Sequence, residues 1–206
     1  MRKIIVSEFV TLDGVMEDPG GSEKTKRGGW AFQFERGPEG DKFKLDEVME
    51  SEAMLLGRIT YEGFAEAWPA REGEFAEKMN NMPKYVVSTT LKMAEWANTK
   101  VINNNIVEEI AKIKAQPGGD ILVAGSRTLV DTLMQHNLVD EYRLMVYPVV
   151  LGSGKRLFED GSNRLALKLT EARPIGDGIL ILIYHPEIDV KTIQSEPEIE
   201  REKERR

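Results

Sequence analysis

The chain has no cysteine. That removes disulfides, thiolate-bound metals and cysteine nucleophiles, and it suits a reducing, cytoplasmic setting. Histidine is nearly as scarce: His136 and His185 stand alone and far apart in sequence, too few for a histidine-rich zinc site. No metal site is expected. No apolar run approaches a membrane span. The opening M-R-K-I-I-V-S-E-F-V-T-L carries a basic pair but neither a long apolar core nor a small-residue cleavage site, so it reads as a strand and not a signal peptide. No long basic block offsets the net charge of −7, which argues against nucleic acid as a partner. The same balance makes each cation at a turn informative, because an acidic chain that binds an anion must build a local positive site.

What is present is an alternation of apolar runs and helical periods over 206 residues, a length that fits one domain with a proper core. Lys3 to Leu12 reads as a strand, and Asp13-Gly14 as its turn. Asp41 to Glu52 has a helical period, and Ala53 to Leu56 reads as a short strand covered on both faces. A helical stretch broken at Trp68-Pro69 follows, then strands at Pro83 to Ser88 and Lys100 to Ile102. A helix over Ile106 to Ala115, a strand at Asp120 to Ala124 and a helix through Met134 come next. Strands then dominate: Glu141 to Leu151, Leu165 to Glu171 and Ile179 to Tyr184. The expected fold class is α/β, a largely parallel sheet with antiparallel C-terminal strands. Residues 1–186 form the domain, and 187–206, crowded with charge, reads as a solvated tail.

In such sheets ligands gather at the C-terminal ends of the strands, and three βα corners point there. Gly57-Arg58-Ile59-Thr60 joins a residue that permits close approach, a planar cation and a good helix cap. Ser88-Thr89-Thr90 and Gly125-Ser126-Arg127-Thr128 repeat the theme. A strand feeding such a corner and a helix N-terminus is an anion-binding layout. Three together suit a dinucleotide, which has two bridging phosphates and in some cases a third on its ribose.

Two loops add candidates. The glycine-rich stretch from Asp18 to Gly40 carries Trp30, Phe32 and Phe34; its aromatics either close over a flat ligand or pin the loop to the core. Gly152-Ser153-Gly154-Lys155-Arg156 is either an anion nest flanked by bases or a plain hairpin loop with solvated bases. The strand before it, Glu141 to Leu151, is apolar on both faces, so something must cover each, and a partner subunit is one way.

V-T-L-D-G-V, L-L-G-R-I-T-Y-E, K-Y-V-V-S-T-T, I-L-V-A-G-S-R-T-L and L-V-D-E-Y-R-L-M-V-Y-P-V-V-L-G-S-G occur in this order over residues 3–185. With them the chain resembles the dihydrofolate reductase fold, and more narrowly the reductase family of the C-terminal domain of the riboflavin-biosynthesis protein RibD. The resemblance implies an NADPH-dependent reductase with a mixed eight-stranded sheet, often a homodimer. Its substrate would be a small molecule, in the family a ribosylaminopyrimidine phosphate.

Carried over by position, Gly57, Arg58 and Thr60 hold cofactor phosphate. Ser88 and Thr89 hold the phosphate on the adenosine ribose, and Gly125, Ser126 and Arg127 meet the pyrophosphate. Where dihydrofolate reductases carry Gly-Gly, this chain has Gly125-Ser126. Asp41 has the separation from Gly57 of the catalytic carboxylate of those enzymes, with a helix cap as its other reading. Trp30, Gly152, Gly154, Lys155 and Arg156 are the expected substrate contacts. The zinc deaminase signature that often precedes this domain is missing, so a stand-alone reductase is expected. The rival readings are a dihydrofolate or pterin reductase and a nucleotide-binding protein without turnover.

Overall fold

A computed structural model of the chain describes residues 1–158 and 164–187. Its elements in chain order are β1 (Ile4–Thr11), α1 (Gly37–Glu50), β2 (Ser51–Gly57), α2 (Arg58–Ala67) and α3 (Glu74–Asn81). Then come β3 (Lys84–Val87), β4 (Thr99–Ile102), α4 (Ile106–Ala115), β5 (Asp120–Val123), α5 (Arg127–Gln135), β6 (Glu141–Tyr147), β7 (Leu167–Ile175) and β8 (Ile179–Pro186). A 3-10 turn, Trp30–Gln33, lies in the loop before α1. The tail expected over 187–206 falls, beyond Glu187, outside the described residues.

The eight strands of the described residues form one sheet in the order β4-β3-β2-β5-β1-β6-β8-β7. From β4 to β6 every pairing is parallel, and β8 runs antiparallel to both β6 and β7. This is the mixed, mostly parallel α/β sheet with an antiparallel C-terminal portion. The alternation of side chains along β1 divides the core. Ile4, Val6 and Val10 join Ile110 and Ile113 of α4 and Leu129, Val130 and Leu133 of α5 on one face. On the other face Ile5 packs with Val48 of α1, Tyr61 of α2 and Met79 of α3, while Phe43 of α1 packs with Trp30 and Tyr147.

Several boundaries differ from the sequence reading. Helix α1 begins at Gly37, with Pro38 in its first turn, where a missing N–H costs nothing. Strand β6 ends at Tyr147, before Pro148, which has no N–H to continue the ladder. Both faces of β6 are covered within the chain, since Leu144 lies in one core cluster and Met145 in another. Its apolar faces therefore call for no partner. Pro174 lies inside β7 and not between the strands; β7 is an edge strand, where proline is tolerated.

Candidate functional site

The parallel order brings the C-terminal ends of β3, β2, β5, β1 and β6 to one rim of the sheet. At that rim two of the three expected corners touch. Gly57 ends β2 and Ser126 leads into α5, and a Cβ built on Gly57 would stand 2.8 Å from Ser126 Cβ and closer still to its hydroxyl. Gly125 has φ +77, and a Cβ there would stand 2.6 Å from Thr60 Oγ1. Gly57 is thus a glycine of close approach, and Gly125 one of both close approach and left-handed backbone. The Gly125–Ser126 peptide is cis. Neither α2 nor α5 has a side-chain hydrogen bond capping its N-terminus. Two helix starts without a side-chain cap therefore meet at one point, a layout suited to phosphate.

The cations at this point are differently engaged. Arg58 Nη1 contacts both oxygens of Glu62, at 3.0 and 2.9 Å, across an exposed turn of α2. Arg127 is the first residue of α5. The third corner, after β3, lies next to the first in the sheet. Ser88 is buried there and its Oγ accepts the N–H groups of Thr90 and Leu91, whereas Thr89 is exposed. Ser88 therefore shapes its own turn, and Thr89 is the freer of the two hydroxyls.

The loop from Asp18 is folded tightly around that aspartate. Asp18 is 2 % exposed, and its carboxylate accepts the N–H of Glu23 and both the N–H and hydroxyl of Thr25. Trp30 goes into the core: its indole donates to Glu17 O at 2.9 Å and its ring meets Tyr147 edge-on at 5.2 Å. Phe34 also meets Tyr147, while Phe32 is 79 % exposed. Of the two roles open for Trp30, the structure gives it the pinning one. Ser22 at the loop's tip lies against Gly63 of α2, and Arg27 approaches Gly152, so the loop spans the rim from one corner to the other.

The 152–156 loop is similarly tied. Gly152 and Gly154 have φ +75 and +130, but the Gly152 N–H donates to Asp13 Oδ2 at 2.7 Å and the Leu151 N–H to Asp13 Oδ1. The carboxylate in this turn is the chain's own. Burial tends to raise the Asp13 pKa, and the Thr11 hydroxyl with these two N–H groups more than offsets it, holding the group below its usual value. Lys155 pairs with Glu17 at 3.2 Å, and Arg156 Nε donates to Asp13 O. Burial raises Glu23 nearby, with Lys155 acting against the rise and Asp18 and Glu17 adding to it.

Asp41 is neither a buried carboxylate nor a helix cap. It lies within α1, past its first turn, with 66 % of its side chain exposed and Arg36 Nε at 2.6 Å. A buried carboxyl that reaches the Gly125 corner is Glu8, on β1. It is 7 % exposed and accepts the Gly125 N–H at 2.6 Å. Burial pushes its pKa up to about 8; the Gly125 N–H and Lys44 act against the rise, and Glu47 adds to it. A glutamate inside an apolar alternating strand was the sequence signal for Glu8. Asp13 and Asp18 offered none beyond being turn residues.

A sequence profile of the RibD C-terminal domain matches residues 2–181. The chain belongs to that family. The uncharacterised protein YyaP of Bacillus subtilis (strain 168) is 34% identical over 190 residues, covering 89% of this chain and 95% of YyaP. Among solved structures, a putative riboflavin biosynthesis protein from Shewanella sp. PV-4 superimposes with a TM-score of 0.72 at 19% identity, covering 90% of this chain and 99% of that one. Dihydrofolate reductase from Enterococcus faecalis, complexed with NADP(H), gives a TM-score of 0.54 at 15% identity, covering 90% of this chain and 96% of that one. The fold is that of dihydrofolate reductase, and the family is a reductase family. No helix among the described residues is long and apolar enough to cross a membrane.

Proposed function

We propose that the protein is an NADPH-dependent reductase acting on a C=N or C=O group attached to a heterocycle, similar to the ribosylaminopyrimidine phosphate reductases of riboflavin biosynthesis. The observation that carries this reading is the contact between the Gly57 and Gly125-Ser126 corners, which joins two uncapped helix starts where a Cβ would intrude. Thr60, Ser126 and Arg127 would hold the bridging phosphates through backbone N–H groups and side-chain donors, while Gly57 and Gly125, the latter with its N–H bonded to Glu8, would let the backbone approach them closely. Arg58, Ser88 and Thr89 would receive the ribose phosphate. The nicotinamide, when bound, supplies a hydride. The protein's part is to bind, orient and exclude water.

For the substrate, the 152–156 loop offers side chains and not a backbone nest, since Gly152 is already bonded to Asp13. Lys155 and Arg156 are exposed there, and Arg156 is anchored through Nε, which leaves its outer nitrogens for a phosphate. We extend the reading to a cytoplasmic homodimer joined on the β7–β8 side, where Leu169 and Leu180 are 48% and 38% exposed.

The deciding experiment is a titration of the purified protein with NADPH, followed by addition of phosphorylated aminopyrimidines while the absorbance of the reduced nicotinamide is recorded. Saturable binding and consumption of the cofactor are expected. A chain that binds neither NADPH nor NADP⁺ at millimolar concentration is not such a reductase. Sedimentation of the same sample at a monomer's mass would remove the dimer.

A further inference from the structure

Glu8 is out of keeping with its row. Ile4, Val6 and Val10 on the same face of β1 are 0%, 0% and 5% exposed and belong to the core shared with α4 and α5. The residue opposite Glu8 on β6, Leu144, belongs to that core as well. A carboxyl here gives up its hydration for little packing, and an aliphatic residue would serve the fold better. What the carboxyl does is accept the Gly125 N–H. That N–H sits in the corner where Gly125 abuts Thr60 and Ser126 abuts Gly57. A side chain from the central strand thus reaches up from beneath and holds the backbone that the two helix starts share.

Few charges bear on it. From the other face of the sheet, Lys44 and Glu47 of α1 act on Glu8 in opposite directions. They are paired with each other, and Lys44 also donates to Ser7 Oγ. Above, α5 packs through Leu129, Val130 and Leu133 and carries two charged residues, Arg127 at its first position and Asp131 one turn on. With burial the dominant influence, Glu8 is mostly a neutral acid at neutral pH.

We propose that Glu8 is a positioning residue for the anion site and that its proton is a condition of phosphate binding: as a neutral acid it anchors Gly125, and once ionised it sets a negative charge beneath the helix starts that the phosphates need. This rests on the cofactor reading above. The ionised carboxylate competes with the ligand for the positive field at the α5 N-terminus and repels a phosphate at short range through poorly screening surroundings. Linkage makes the effect reciprocal: a bound phosphate ligand favours the protonated form, so binding near pH 8 takes up protons.

The test is calorimetric titration of the full chain with NADP⁺ at about pH 7 and about pH 9. The ribose phosphate of the ligand is ionised at both, its second pKa being about 6. Wild type is expected to bind about tenfold more weakly at the higher pH, as follows when only the protonated form is competent. Glu8→Gln keeps an oxygen for the Gly125 N–H and has no proton to lose, so its ratio between the two pH values should fall to about one. The same pH dependence in both chains overturns the proposal and leaves the cofactor reading standing. Wild type without NADP⁺ binding at either pH overturns both. Should the variant not fold, the ¹³C shift of the Glu8 carboxyl in wild type decides. A midpoint near pH 8 that moves upward with NADP⁺ supports the proposal, and a midpoint that the ligand leaves in place overturns it.

Discussion

Gly57 and Ser126 lie so close that a Cβ on the first would stand 2.8 Å from the Cβ of the second. Strands β2 and β5 are neighbours in the sheet, and this contact is where their following helices begin. Gly57 has φ −78, which any residue can adopt, so the obstacle to a larger residue there is contact, and its nearest atoms are those of Ser126.

Gly57→Ala should therefore weaken cofactor binding by about tenfold or more, by pushing Ser126 and the α5 start aside. Adding Ser126→Gly should restore part of the loss, a coupling readable in a double-mutant cycle. Gly125→Ala should behave differently. Its φ of +77 strains any side chain, so Thr60→Ala, which removes the clash but not the strain, should rescue it only in part. Cofactor dissociation constants for the two pairs, with melting temperatures alongside, check both outcomes.

Arg58 is held by Glu62 across one helical turn. A surface pair of this kind contributes about 0–1 kcal/mol, less than a charge-assisted hydrogen bond to phosphate, about 1.5–3 kcal/mol. The ligand should therefore draw Arg58 away. Arg58→Ala is expected to weaken NADPH by roughly 10- to 100-fold and NADH much less, and Glu62→Gln to tighten NADPH a few-fold. Equal losses for the two cofactors in Arg58→Ala would assign the arginine to the shared pyrophosphate.

Asp41→Asn should leave cofactor affinity and turnover within about twofold, because its carboxylate is largely solvated and its partner is Arg36. A general acid would instead cost roughly 10²–10⁴ in rate. Single-turnover kinetics in Asp41→Asn separates the two.

The pH dependence of stability should carry the mark of Glu8. Its pKa is about 8 in the folded protein against 4.5 for the free group. The folded chain therefore holds more protons than the unfolded one between those values. The contribution is fully present below about pH 4.5 and is lost as pH rises to about 8. Lys84 has the opposite slope. Its ammonium, enclosed by the carbonyls of Asn80, Met82 and Ala97, is pushed by burial down from 10.5 to about 8. Stability from that group is lowest below about pH 8 and recovers toward 10.5. Urea denaturation across this range should show Glu8→Gln flattening the acid-side decline and leaving the alkaline side as in wild type.

The strands, the helices and the three corners could be read from the sequence because each depends on residues close together in the chain. Gly57, Arg58 and Thr60 stand in one short stretch, and Ala53 to Leu56 announces a strand covered on both faces. Motif order carried the family, since the profile match spans the same segments. Which corners meet was decided by the tertiary structure alone. The order β3-β2-β5-β1 sets Gly57 against Ser126 and brings Glu8 under Gly125, contacts between residues far apart in sequence. The same holds for the 152–156 loop, where Asp13 accepts the N–H groups of Leu151 and Gly152, and for Trp30, which packs on Tyr147. Periodicity and turn chemistry act over a few residues, whereas these partners are chosen by which strands pair and which loops must share one rim.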